Sequence, residues 1–137
     1  MTTHAKAAFS VKTWDEKTRD GKPLNEVSGR KFTRALVTRS YQGDLEGEGT
    51  VDFLMFYRDD GTASYIGLEE VVGSLGGKSG SFAVQHTGSY ADGTAKATSL
   101  IVPGSGTGEL AGITGQVNSV AAGHQEQYPV TLDYDFE

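Results

Sequence analysis

Apolar and polar residues alternate along most of this chain, and helical spacing is almost absent. Alternation places every second side chain on one face of a strand. It predicts strands over residues 5–13, 31–41, 49–58, 62–72, 79–87, 94–102, 113–120 and 128–136. In the last of these Tyr128, Val130, Leu132, Tyr134 and Phe136 share a face. Turn residues separate the strands: Gly43-Asp44, Asp59-Asp60-Gly61, Gly76-Gly77 and Asp92-Gly93. Regularly spaced strands joined by hairpin turns predict an all-β antiparallel meander. About eight of them predict an up-and-down β-barrel, which leaves no exposed sheet edge. Residues 14–29 are charged and carry Asp20-Gly21, Pro23 and Ser28-Gly29. They read as a surface loop, with a lid over the barrel mouth as the alternative.

Composition narrows the function classes. The 137 residues make one domain, and the 19 glycines favour short strands and many turns. Absence of cysteine excludes disulfides, zinc-thiolate sites and a cysteine nucleophile. A net charge of −6 argues against nucleic acid and anionic membranes as partners. There is no apolar run of the about 18 residues that a spanning helix needs. The N-terminus lacks the apolar segment of a signal peptide, so a cytoplasmic location is expected.

The glycine-dense stretch at residues 102–115, Val-Pro-Gly-Ser-Gly-Thr-Gly-Glu-Leu-Ala-Gly-Ile-Thr-Gly, is the feature that composition alone does not interpret. Such a cluster means either a phosphate cradle or a backbone crowded at the end of a β-structure. Phosphate motifs fail here and elsewhere. Gly73-Ser-Leu-Gly-Gly-Lys78-Ser79 is one residue short of a P-loop and leads into a strand. Gly106-Thr-Gly108 fits a dinucleotide fingerprint loosely, and Gly112 and Gly115 interrupt any following helix. Without a helix N-terminus neither has the dipole and amide donors of a phosphate site. A barrel-closing turn remains.

That stretch is similar to the turn between two barrel strands of allene oxide cyclases and dirigent proteins. The chain more closely resembles a bacterial family of uncharacterised small barrels, a domain of unknown function with an allene-oxide-cyclase-like fold. The segments that carry this likeness are Thr13-Trp-Asp-Glu16, Gly43-Asp-Leu-Glu-Gly-Glu-Gly49, Arg58-Asp-Asp-Gly-Thr-Ala-Ser64, Gly77-Lys-Ser-Gly-Ser-Phe-Ala-Val-Gln-His86 and Thr131-Leu-Asp-Tyr-Asp-Phe136. The resemblance covers nearly the whole chain and implies the barrel fold. Barrels of this type include isomerases and cyclases that fold a flexible ligand in a hydrophobic cavity, and proteins that steer radical coupling. The plant cyclases' catalytic residues have no positional match here, so only the fold-level analogy carries over.

Turn chemistry sets the register. A three-residue loop ending at Gly61 pairs Met55 with Tyr65, Phe53 with Gly67 and Val51 with Glu69. A Gly76-Gly77 turn then pairs Glu69 with Val84 and Gly67 with His86. An Asp92-Gly93 turn pairs His86 with Ser99 and Val84 with Ile101. One face so collects Phe53, Met55, Tyr57, Tyr65, Phe82, Val84 and Ser99 as candidate ligand-binding residues, around Glu69 and His86. An apolar wall with a few convergent polar groups is the make-up of a ligand pocket.

Glu69 and His86 lie diagonally on neighbouring strands, within side-chain reach. Burial raises a carboxylate's pKa, and a nearby histidine pulls it back. The pair is the candidate for catalytic proton transfer; fixing one end of the core is its plainer role. Ser99 lies mid-strand without a nucleophile elbow, which argues against a hydrolase triad. The opposite face carries Leu54, Phe56, Ile66 and Leu68, an apolar patch that predicts a homo-oligomer, dimer or trimer. Cover by residues 14–29 is the competing reading. Arg39 is expected near Glu48 on that outer face, in a surface ion pair. His124 falls in a polar loop, with the barrel mouth as its alternative place. No metal-ligand spacing recurs, and neither metal nor cofactor is expected. The expected function is therefore binding of an apolar small molecule, with isomerase or cyclase activity possible. A non-catalytic carrier and a structural barrel are the alternatives.

Overall fold

The computed structural model describes residues 2–23, 29–123 and 125–137. Its strands are β1 (Thr3–Thr18), β2 (Lys31–Gly43), β3 (Leu45–Tyr57), β4 (Ala63–Leu75), β5 (Lys78–Ala91), β6 (Thr94–Ile101), β7 (Thr107–Gly108), β8 (Ile113–Ala122) and β9 (Tyr128–Phe136). All pairings are antiparallel, and β1, β2, β3, β4, β5, β6, β8 and β9 follow one another around a closed ring. This is the eight-stranded barrel that the alternation predicts. Among the described residues there is no helix.

Hairpin register follows the turn residues. Gly76 (φ 59°) and Gly77 (φ 84°) make the left-handed two-residue turn that matches strand twist, and Leu75 pairs with Lys78. Asp92 (φ 53°) and Gly93 do the same, pairing Ala91 with Thr94. After Asp59-Asp60-Gly61, the Arg58 N–H donates to the Thr62 carbonyl at 2.8 Å. The interior pairs Phe53–Gly67, Glu69–Val84 and His86–Ser99 follow.

Two expectations change. Residues 14–18 are not a loop: they continue β1, pairing Trp14 with Val37 and Thr18 with Thr33. A β-bulge between Val11 and Thr13 adds one residue, so the inward positions switch from odd (Ala5, Phe9) to even (Trp14, Thr18). The inward positions beyond the bulge include Glu16 and Thr18, so no apolar alternation marks the strand. Residues 24–28 of the same stretch lie outside the described residues, as does His124.

The second change concerns Arg39. A two-residue turn at Gly43-Asp44 would set Arg39 opposite Glu48. The actual pairing is Arg39–Gly49 and Tyr41–Gly47, one residue out. A slip of one residue reverses the face. Arg39 therefore points into the barrel, and Glu48 instead meets Lys12 at 2.9 Å on the surface.

The glycine-dense stretch stoppers one end of the barrel. After β6, Val102 N–H donates to the Ala83 carbonyl, β7 pairs with β5 at Gly80 and Ser81, and Leu110 turns inward, 1% exposed. Closure of the ring itself comes from the strand pairings. Leu110 joins Leu45, Leu75, Ile113, Leu132 and Tyr134 in a packed core that fills this end. A smaller cluster, Ala35, Val37, Val51, Phe53 and Met55, lines the other half.

Candidate functional site

The second half of the barrel is hollow. A cavity of about 410 Å³ lies between aromatic side chains of β1, β3, β4 and β5 and small ones of β6 and β8. Trp14, Phe53, Tyr57, Tyr65 and Tyr90 form the first wall; Ala95, Ala97, Ser119 and Ala121 form the second. Phe9 and Tyr128, which belong to the packed core, separate the cavity from the filled end. The rings brace one another: Phe53 meets Tyr65 edge-on at 5.3 Å and stacks on Trp14 at 6.2 Å. Glycine makes this possible at Gly67, where a Cβ would stand 2.6 Å from the Phe53 ring.

Polar groups converge beside Phe9 and Phe53. Glu69 on β4 is 1% exposed. Its Oε1 lies 2.7 Å from His86 Nε2, and its Oε2 accepts from the Tyr41 hydroxyl at 2.5 Å. His86 Nδ1 lies 2.6 Å from Ser99 Oγ. Arg39 Nη1 stands 4.0 Å from Glu69 Oε1, and the guanidinium covers the Phe9 ring at 4.5 Å. Gly49 opposite Arg39 has no side chain because the Glu69 carboxylate occupies the place of its Cβ.

Burial by itself raises the pKa of Glu69, but the Arg39 charge, with the hydrogen bonds from His86 and Tyr41, outweighs it and holds the carboxyl below its ordinary value. Beside burial and His86, the two influences expected from sequence, the inward Arg39 supplies the dominant opposing charge. Burial likewise lowers Arg39, but the Glu69 charge together with Tyr41 and Tyr65 outweighs it and leaves the guanidinium raised. Burial, then the Glu69 charge, pushes the Tyr41 hydroxyl up. With Glu69 ionised, His86 Nε2 is the donor to it, and a neutral ring leaves Nδ1 to accept from Ser99.

A second carboxylate is organised near the cavity's outer part. Glu16 accepts hydrogen bonds from Tyr57 and Thr33, both at 2.6 Å, and from the Trp14 indole at 2.9 Å. Burial, then Glu16, raises the Tyr57 hydroxyl.

The candidate residues named from sequence fall into three groups. Phe53, Met55, Tyr57, Tyr65 and His86 border the cavity. Glu69 and Ser99 stand behind His86, each within hydrogen-bond reach of its ring. Phe82 and Val84 belong to the packed end. Sequence reasoning missed Arg39, Tyr41, Trp14 and Glu16. The signal for Arg39 was Gly49, a glycine interrupting the inward row that begins with Val51. A larger depression of about 910 Å³ runs over the rim onto the outer face, past Arg19, Phe32, Leu54 and Ile66. Its charged residues, Asp15, Lys17, Arg19, Arg34 and Asp52, are exposed and the Arg34–Asp52 pair is open to solvent, so the interior cavity is the better candidate. Among the described residues no group of three or more histidine, aspartate or glutamate side chains could hold a metal ion. None of the described segments is a helix long and apolar enough to cross a membrane.

Comparison with known proteins agrees with the geometry at the level of fold. The family model described as a protein of unknown function (DUF3224) matches residues 5–134. A crystal structure of a DUF3224-family protein of unknown function from Shewanella oneidensis MR-1 superposes with a TM-score of 0.82 and 28% identity, covering 100% of this chain and 99% of that one. No curated protein matches.

Proposed function

The chain belongs to the DUF3224 family of proteins of unknown function, and from that premise we propose that its barrel is a receptor for a small, largely apolar molecule, bound in the interior cavity without a cofactor. The observation that supports this reading is the contrast between the two halves. One end is filled by Leu75, Leu110 and Leu132. The other sets aromatic rings against alanines across about 410 Å³, within the usual range of ligand cavities. Side chains the size of leucine at positions 95, 97 and 121 would take up much of that space, as a purely structural barrel requires. On this reading Phe53, Met55, Tyr57 and Tyr65 hold the ligand. Ser99 orients His86, and Phe82 and Val84 stiffen the packed end.

Thermal denaturation with a panel of aromatic hydrocarbons and their polar derivatives tests the proposal. A ligand at about 100 times its Kd adds about 2.7 kcal/mol, a shift of several degrees. Ala97→Leu should abolish the shift while the variant still folds. If no compound moves the wild-type transition, the filled structural barrel is the better reading.

One observation favours a catalytic variant of this function. His86 borders the cavity while Glu69 holds its Nε2 from behind; proton transfer would use Nδ1, which would exchange its Ser99 partner for the substrate. An isomerase or cyclase would then lose turnover, and keep binding, on His86→Ala or Glu69→Gln. Unchanged turnover would remove the catalytic assignment and leave the binder.

A further inference from the structure

Arg39 is a donor without sufficient acceptors. Its side chain is 11% exposed, it borders the cavity, and its Nε meets no hydrogen-bond partner among the described residues. A guanidinium carries five N–H donors in a planar fork. The one acidic group beside it, Glu69, stands at 4.0 Å, beyond hydrogen-bond distance. Glu69 cannot turn to Arg39 cheaply, because its two oxygens are engaged at 2.7 Å by His86 and at 2.5 Å by Tyr41. The faces of Phe9 and Phe53 hold the guanidinium by its plane, with its carbon 4.5 and 5.7 Å from the ring centroids. That grip leaves the N–H edge as the part available to a partner.

The neighbouring polar groups do not answer this need. Both His86 nitrogens are taken, by Glu69 and Ser99, and the Tyr57 hydroxyl donates to Glu16; the Tyr41 hydroxyl, which donates to Glu69, accepts from the guanidinium but leaves Nε unmet. Buried donors without acceptors are costly, so they persist where something supplies the acceptor.

On the strength of the binding function proposed above, we infer that the cavity's ligand carries an sp² oxygen, a carbonyl or a carboxylate, that accepts hydrogen bonds from the Arg39 guanidinium. The rest of the ligand is a flat aromatic or conjugated body lying between Trp14, Phe53 and Tyr65 on one side and Ala95 and Ala97 on the other. The oxygen end sits deep, beside Phe9, and the apolar end faces the wider part of the cavity.

Isothermal titration with three probes of one shape tests this: 2-methylnaphthalene, 2-acetylnaphthalene and 2-naphthoate. At least one oxygen-bearing probe should bind about tenfold or more tightly than the hydrocarbon, the worth of a charge-assisted hydrogen bond. The ranking of ketone against carboxylate identifies which oxygen the site takes. In the double variant Arg39→Met/Glu69→Gln the advantage should fall to about twofold or less, while the hydrocarbon still binds and so reports an intact cavity. If that variant does not fold by circular dichroism, Arg39→Lys replaces it, and the loss of the fork should shrink the preference. Equal binding of all three probes by the wild type overturns the inference and leaves the binding function standing. A preference that survives the Arg39 change overturns it as well. No binding by any probe overturns both.

Discussion

Replacing Arg39 by methionine removes a cationic side chain 4.0 Å from the Glu69 carboxylate, a residue 1% exposed. Glu69 then keeps the hydrogen bonds from His86 and Tyr41 but loses its compensating charge. Removing one partner of a buried pair costs about 3–5 kcal/mol, because the other charge stays behind. Glu69→Gln in the same background should restore a large part of this, with a coupling of about 1–3 kcal/mol. The pH dependence gives a sharper readout. In the wild type the folded-state pKa of Glu69 lies below its ordinary value. Its stabilisation is thus complete above the unfolded-state pKa and is lost as pH falls through the folded one. Without Arg39, burial becomes the leading influence and raises the folded-state pKa. The Glu69 contribution then changes sign, and acidification favours the folded variant relative to wild type. Urea denaturation of wild type, Arg39→Met, Glu69→Gln and the double variant between pH 7 and pH 4 measures all of this, with Glu69→Gln subtracting the other carboxylates. A single variant that costs under about 1 kcal/mol, or a stability gap that does not narrow on acidification, would falsify the electrostatic account.

Other perturbations probe the surrounding frame. Gly49→Ala drives a Cβ into the Glu69 carboxylate and should cost about 1–3 kcal/mol in urea midpoint analysis, less in a Glu69→Ala background. Leu110→Ala removes the stopper of the packed end and should cost about 2–5 kcal/mol, while ligand shifts in the hollow half persist. On the outer face, Leu54, Ile66 and Leu68 are 56, 55 and 58% exposed beside the Arg34–Asp52 ion pair. Opposite charges so placed are self-complementary across a two-fold axis. Sedimentation equilibrium should show a wild-type oligomer that Leu68→Glu dissociates, and a monomeric wild type would refute that expectation.

The barrel and most of its register were legible because two kinds of signal agreed. Period-two alternation marked the strands, and Gly76-Gly77, Asp92-Gly93 and Gly61 fixed how they pair. Once those turns are placed, Phe53, Glu69 and His86 must share a face. What escaped did so where local patterns change phase. The β2–β3 connection leaves five residues between the paired Tyr41 and Gly47, not the two its Gly-Asp suggests, so Arg39 reads from sequence as outward. The strand's own pattern does not correct that register, since Phe32 and Leu36 are large and apolar yet outward, 48 and 45% exposed. Residues 14–18 escaped because two of their inward side chains, Glu16 and Thr18, are polar: Glu16 binds Trp14, Thr33 and Tyr57 instead of packing. A partly polar interior erases the alternation that identifies an interior.

The extra residue of the β1 bulge gives that strand two reading frames. Up to Val11 odd positions face inward, and from Trp14 onward even ones do. Deleting Lys12 would close the bulge and merge the frames into one, with Trp14 still opposite Val37 and Glu16 still opposite Ala35. Substitutions at Lys12 touch only a surface contact with Glu48. The chain should thus tolerate almost any side chain at this position, and loss of the position itself should straighten the strand without changing which side chains face inward. Local twist, not chemistry, is what Lys12 contributes to the hollow half of the barrel.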